Sequence, residues 1–98
     1  MKTNRIQPET AIFFECDIQD KFRDLMQNYA AVAHNAGRLA QMAKLFQIPL
    51  VSTKHVKFGD TDPSVSACHD DEKNGLVKHF EKFSFSMAAN EDVRAFYL

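Results

Sequence analysis

An α/β fold with a parallel sheet is predicted by three features of the chain. Residues 11–16, "AIFFEC", form a short apolar run; residues 25–46 carry apolar positions spaced by three and four; residues 48–53, "IPLVST", follow at once as a second apolar run. A strand, a helix and a strand with short joints make a βαβ unit, whose two strands must be parallel and whose crossover is right-handed. The order predicted for the whole chain is β-α-β-loop-β-α, and 98 residues suffice for one small domain.

The first strand follows a Pro-Glu-Thr turn, is rich in Phe and Ile, and ends where charge begins, which suits a buried strand. The helix places Tyr29, Val32, Ala33, Ala36, Leu39, Ala40, Ala43 and Phe46 on one side and Asn35, Arg38, Gln41 and Lys44 on the other. Its alanines permit close approach to a sheet, and Gly37 weakens it by about 1 kcal/mol relative to alanine. Pro49 sits near the start of the second strand, where a missing N–H is tolerated. Residues 54–74 are polar and charged, with Gly59, Asp62-Pro63 and "HDDEKNG", and read as a long surface loop with room for a helical turn. Residues 76–85, "LVKHFEKFSF", mix apolar and charged positions as a third strand. Residues 90–97 open a helix with Asn90 as cap and acids in the first turn.

Composition excludes several classes of function. The net charge is −1 with 45% hydrophobic residues, which gives no electrostatic case for nucleic acid or an anionic membrane as partner. No apolar run is long enough to span a bilayer. Residues 1–9 lack the apolar core of a signal peptide. Two cysteines, Cys16 and Cys68, are too few for a disulfide scaffold, so a reducing, cytoplasmic location is expected.

The chemistry concentrates in "CDIQDKF", residues 16–22. Successive strand side chains point to opposite faces, so Cys16 and Asp17 should not share a site while the strand persists. Cys16 then reads as a small buried hydrophobe rather than a nucleophile. Asp17 falls at the carboxyl end of the first strand, the edge where open α/β sheets bind ligands. Composition alone favours the reading that Asp17 caps a turn or helix. Cys68, His69, Asp70, Asp71 and His79 lie close in sequence but lack paired zinc-site spacing, so a solvated acidic loop is expected there.

"CDIQDKF" after an apolar strand, a long helix, "IPLVST", and then a lysine in "EKFSFSM" together resemble the isochorismatase-like cysteine hydrolases, in particular the branch of isochorismatase domain-containing proteins. The resemblance runs from about residue 10 to the end, with a poor match over residues 65–74. It implies the first half of a doubly wound, Rossmann-like parallel sheet, and hence a partial domain over residues 1–98. It also implies a site built from an aspartate, a lysine and a nucleophilic cysteine. By position Asp17 matches the aspartate, the general base for the thiol, and Lys82 the lysine, whose charge favours a thiolate. Without the resemblance Lys82 would be read as a solvated surface residue. Gln19, Phe22 and Phe85 match positions near the substrate pocket, although packing or a turn would account for each.

The family's nucleophile lies after a further strand, in a Gly-and-Cys segment at a helix start. Neither Cys16 nor Cys68 occupies that place. The nicotinamidase branch carries an Asp and two His after the second strand as a metal site; "TKHVKFGD", residues 53–60, lacks that pattern. No metal and no cofactor are expected. The resemblance implies a small-molecule substrate and a homo-oligomer for the complete domain, and an inactive chain when these 98 residues stand alone. The alternative expectation is a truncated, non-enzymatic paralogue that binds a partner through its open sheet.

Overall fold

The computed structural model describes residues 5–69 and 75–97. Residues 70 and 71, among the side chains weighed above as metal ligands, lie outside them. Three strands, β1 (Phe13–Cys16), β2 (Leu50–His55) and β3 (Val77–Lys82), form one parallel sheet in the order β1-β2-β3. Between and after them come α1 (Tyr29–Phe46), the one-turn α2 (Pro63–Ser66) and α3 (Glu91–Tyr97). The predicted α/β class and element order hold; the sheet is open and α1 and α2 fall between its strands.

Register decides which residues can meet. Phe13, Leu50 and Val77 are aligned across the sheet, as are Glu15, Ser52 and His79. Alternation puts these two rows on one face. There Leu50, Val77 and Phe13 pack with Ala40 and Ala43 of α1, whose small side chains allow close approach. Gly37 continues this contact surface: a Cβ there would meet the Cys68 sulfur at 3.4 Å and the Ser64 carbonyl at 3.5 Å. The opposite face carries Phe14, Cys16, Val51, Thr53, His55, Phe80 and Lys82. Val93 of α3 is fully buried, and Phe96 of α3 lies 6.1 Å from Phe80 between ring centroids. Nothing among the described residues covers the β1 end of that face, and Phe14 stays 46% exposed.

Several boundaries differ from the predicted ones, and three of the differences bear on the site. The helix starts at Tyr29 because Asn28 adopts a left-handed conformation (φ 60°), and a 3-10 turn at Asp20–Phe22 precedes it. It stops at Phe46 because Gln47 is left-handed too; its N–H reaches the Lys44 carbonyl, and the Ile48 N–H returns to the Ala43 carbonyl in a Schellman closure. That closure delays β2 to Leu50. β3 ends at Lys82, so Phe83 and Phe85 fall in the loop beyond it, both largely exposed.

The buried stripe of α1 is Tyr29, Ala33, Gly37, Ala40 and Ala43. Leu39 and Phe46, expected on it, are each 51% exposed. Leu39 lies at the margin beside β1, where Phe14, Cys16, Val32, Ala36 and Leu39 line an open apolar groove.

Candidate active site

All three strands deliver their carboxyl ends to one place. Asp17 follows β1, Thr53 lies near the end of β2 and His55 closes it, and Lys82 closes β3. Lys82 Nζ donates to Asp17 Oδ2 at 2.8 Å; the lysine side chain is fully buried and the aspartate side chain 13% exposed. A charge withdrawn this far from water persists only when paired and hydrogen-bonded. Lys82 satisfies that requirement completely. Its other two donors go to the carbonyls of Ser84 at 2.7 Å and Phe85 at 2.6 Å. An ammonium has three N–H groups, so none remains for another partner.

Asp17 is held just as firmly. Its N–H bonds to the Thr53 carbonyl at 3.1 Å, and the Thr53 hydroxyl donates to Oδ1 at 2.9 Å. Asp17 itself is left-handed, with φ 54°. That conformation is uncommon for any residue but glycine and most accessible to Asn and Asp. It ends the strand alternation at Cys16. The aspartate therefore turns toward the face that Cys16, Thr53 and Lys82 already share.

The expectation that Cys16 is buried in the core is thus corrected. Its residue is exposed, because its face of β1 has no cover among the described residues. The thiol lies within the electrostatic reach of Asp17 and Lys82. Partial burial is the larger cause that pushes it above the ordinary thiol range, the Asp17 charge pushes the same way, and Lys82 and the Thr53 hydroxyl only partly oppose them. A thiol so raised is mostly protonated at neutral pH and is a poor nucleophile. Cys68 packs at the edge of the core, with its sulfur 3.3 Å from the Ser64 carbonyl.

Gln19 is fully buried. Its amide nitrogen donates to the carbonyls of His55 at 2.8 Å and Gly59 at 2.7 Å, and its oxygen accepts the His55 N–H at 2.7 Å. The side chain thus extends the sheet by one pseudo-residue at the end of β2. Replacing Gln19 by alanine should leave the His55 N–H and two carbonyls unpaired. At about 1–3 kcal/mol for each unsatisfied buried group, with water able to reach the Gly59 carbonyl, urea unfolding should show a loss of about 3 kcal/mol. A loss below about 1 kcal/mol would show that water replaces the amide freely.

Phe22 stacks on Phe58 at 4.4 Å between centroids, and His55 meets Phe58 edge-on at 5.2 Å. Phe85 is 89% exposed with its ring 6.3 Å from His55. Phe22, Phe58, His55 and Phe85 thereby form an aromatic line from the first loop to the loop after β3. Thr53 and His55 were missed by the sequence reading. The register could have found Thr53: it pairs with Cys16, the residue before the aspartate.

On the other face Glu15 is buried. It accepts the Ser52 hydroxyl at 2.6 Å and faces His69 Nε2 at 3.0 Å from each oxygen. Glu15 thus bridges the serine and the histidine. It ties the segment after α2 to the sheet. Among the described residues no group of three or more His, Cys, Asp or Glu side chains is placed to hold a metal ion. No helix among them is long and apolar enough to cross a membrane.

Comparison with known proteins gives a consistent set of relatives, although no family model matches the chain. Isochorismatase domain-containing protein 2B of Mus musculus is 35% identical over 85 residues, 85% of this chain and 37% of the relative. The secreted isochorismatase effector Isc1 of Phytophthora sojae is 32% identical over 92 residues, 92% of this chain and 43% of the relative. Among solved structures, the MAR1 ribonuclease of Caenorhabditis elegans superposes with a TM-score of 0.84 at 24% identity, over 94% of this chain and 46% of that one. This last likeness concerns the fold. The chain spans less than half the length of these proteins.

Proposed function

The chain belongs to the isochorismatase family, and from that premise we propose that it supplies the acid–base part of a hydrolase acting on small molecules. The observation that carries this reading is the buried Asp17–Lys82 pair, 2.8 Å apart at the carboxyl edge of the sheet. In the proposed reaction a cysteine thiol gives its proton to Asp17, and the thiolate bonds to an acyl carbon of the substrate. The bond to the leaving group then breaks, and the leaving group takes the proton back from Asp17. Water finally cleaves the acyl–sulfur bond and restores the thiol.

Lys82 acts here through its charge, which favours the thiolate, since all three of its N–H groups are engaged. Thr53 fixes the aspartate. Phe22 and Phe85 give the pocket an aromatic side, and Gln19 shapes it from below. The nucleophile is a cysteine outside these 98 residues, a reading that accords with the chain's 37–43% coverage of its curated relatives. In a polypeptide of the relatives' full length, a panel of small amides and esters should reveal a turnover that thiol alkylation abolishes and Cys16→Ser retains. Turnover resistant to alkylation would refute the cysteine mechanism. Two free cysteines suit a cytoplasmic location, although one relative bears the name of a secreted effector.

The second reading makes Cys16 the nucleophile, and its exposure beside Asp17 is what favours it. The raised thiol weighs against it. Because burial and the Asp17 charge hold the proton on, alkylation of Cys16 should accelerate only at a pH above that for free cysteine. Asp17→Asn removes one of the two causes and should move the profile to lower pH. Peptide-resolved alkylation rates across pH measure both. A profile at or below that of free cysteine would restore Cys16 as a nucleophile, and hydrolysis by the 98-residue chain, lost in Cys16→Ser, would establish it.

A further inference from the structure

We infer that His55 is a positioning residue, which together with Lys82 clamps three consecutive main-chain carbonyls and so fixes the loop beside Asp17. His55 Nε2 lies 3.1 Å from the Phe83 carbonyl, and Lys82 Nζ bonds the next two, those of Ser84 and Phe85. The ring's proton follows from its other contact. Nδ1 accepts the Lys57 N–H at 3.2 Å, so in the neutral ring the hydrogen is on Nε2 and is donated to Phe83.

The clamp is built from the inside. His55 is 7% exposed, and its own N–H and carbonyl are held by the Gln19 amide. Loop carbonyls ordinarily bond to water at the surface. Here three in a row turn inward to buried side chains, and the two rings of this stretch, Phe83 and Phe85, are left 83% and 89% exposed.

The consequence for the site runs through Lys82. Two of its three partners are loop carbonyls, and the third is Asp17. If the loop drifts, the ammonium loses what aims it at the carboxylate. His55 touches neither Asp17 nor a reacting atom in this scheme; it acts by holding Phe83. The clamp itself stands on geometry alone, and only its effect on turnover rests on the proposed hydrolase reading.

Two variants separate hydrogen bonding from bulk. His55→Leu offers no donor to Phe83 and no acceptor to Lys57, whereas His55→Gln offers one of each. Backbone ¹⁵N relaxation on a polypeptide of the relatives' full length should give order parameters of about 0.85 for residues 83–85 in wild type and His55→Gln, and below about 0.6 in His55→Leu. The α1 values should not change. A rigid loop in His55→Leu, a mobile one in His55→Gln, or loosening that extends to α1 would each overturn the clamp. In the full-length hydrolase His55→Leu should lower kcat by about 10–100-fold with little change in KM, and His55→Gln should recover most of it. Unchanged kcat with a mobile loop would overturn the positioning role. A wild type without turnover would defeat the hydrolase reading and leave the clamp to be decided by relaxation alone.

Discussion

Asp17→Asn should lower turnover of the full-length hydrolase by about 10²–10⁴-fold, the span general-base catalysis contributes, while the chain stays folded. Asparagine can reproduce both side-chain contacts but not the charge, so the buried Lys82 ammonium loses its counter-ion and some stability goes with it. Its oxygen can take the Lys82 N–H, and its amide can donate to the Thr53 hydroxyl, which turns from donor to acceptor. What asparagine cannot do is accept the thiol proton. Lys82→Ala should behave differently, because it strips donors from Asp17 and from two loop carbonyls at once. Breaking a buried ion pair costs about 3–5 kcal/mol, a large share of the roughly 5–15 kcal/mol that holds a domain together. Activity and stability should therefore fall in both variants, with the larger loss of stability in Lys82→Ala, where all three hydrogen bonds of the ammonium go as well. Initial rates beside urea midpoints distinguish the two patterns. An Asp17→Asn protein with near-normal turnover would remove the aspartate from the chemistry.

The 98-residue chain alone should self-associate at micromolar concentrations. Among the described residues β1 pairs with a strand on one side only, and an edge strand is a template for pairing with another chain. Beside that edge Phe14 is 46% exposed and Leu39 51%. Each large side chain left in water forgoes up to about 1.5–3 kcal/mol of burial, so covering this strip with a second chain is strongly favoured. Light scattering coupled to size exclusion should report oligomers or aggregate whose proportion grows with concentration. A monodisperse monomer with one cooperative thermal transition would contradict this and favour a stand-alone interaction protein.

The fold was legible because its signals are local. The apolar runs and the three-and-four spacing fixed strand, helix and strand, and short joints made the pair parallel. Boundaries were less legible because they rest on single backbone conformations. Asparagine tolerates the left-handed region but does not require it, and Asn28 there moves the start of α1 from residue 25 to Tyr29, whereas the end at Phe46 falls as predicted. The placement of Cys16 failed for a related reason. Strict alternation holds only while the strand lasts, and Asp17 ends it with a positive φ. Its exposure also depends on what covers β1, which these residues do not encode. Lys82 was found only through family resemblance, because a lysine among charged residues carries no sign of burial. Once the sheet is formed the reason is plain: its register partner is His55, and both end their strands at the carboxyl edge beside Asp17. Thr53 and His55 escaped because each acts through a contact distant in sequence, to Asp17 and to the Phe83 carbonyl.

If Asp17 and Lys82 work as one unit, a double-mutant cycle on initial rates should reveal it. Residues acting as a unit give grossly non-additive losses. Asp17→Asn, Lys82→Met and the double variant would be assayed at saturating substrate in the full-length hydrolase, after confirming that each is folded. The double variant should be no slower than the worse single variant by more than about 3-fold, since either change alone already disables the pair. Losses that multiply would mean that the two side chains contribute independently, and the 2.8 Å contact would be structural only.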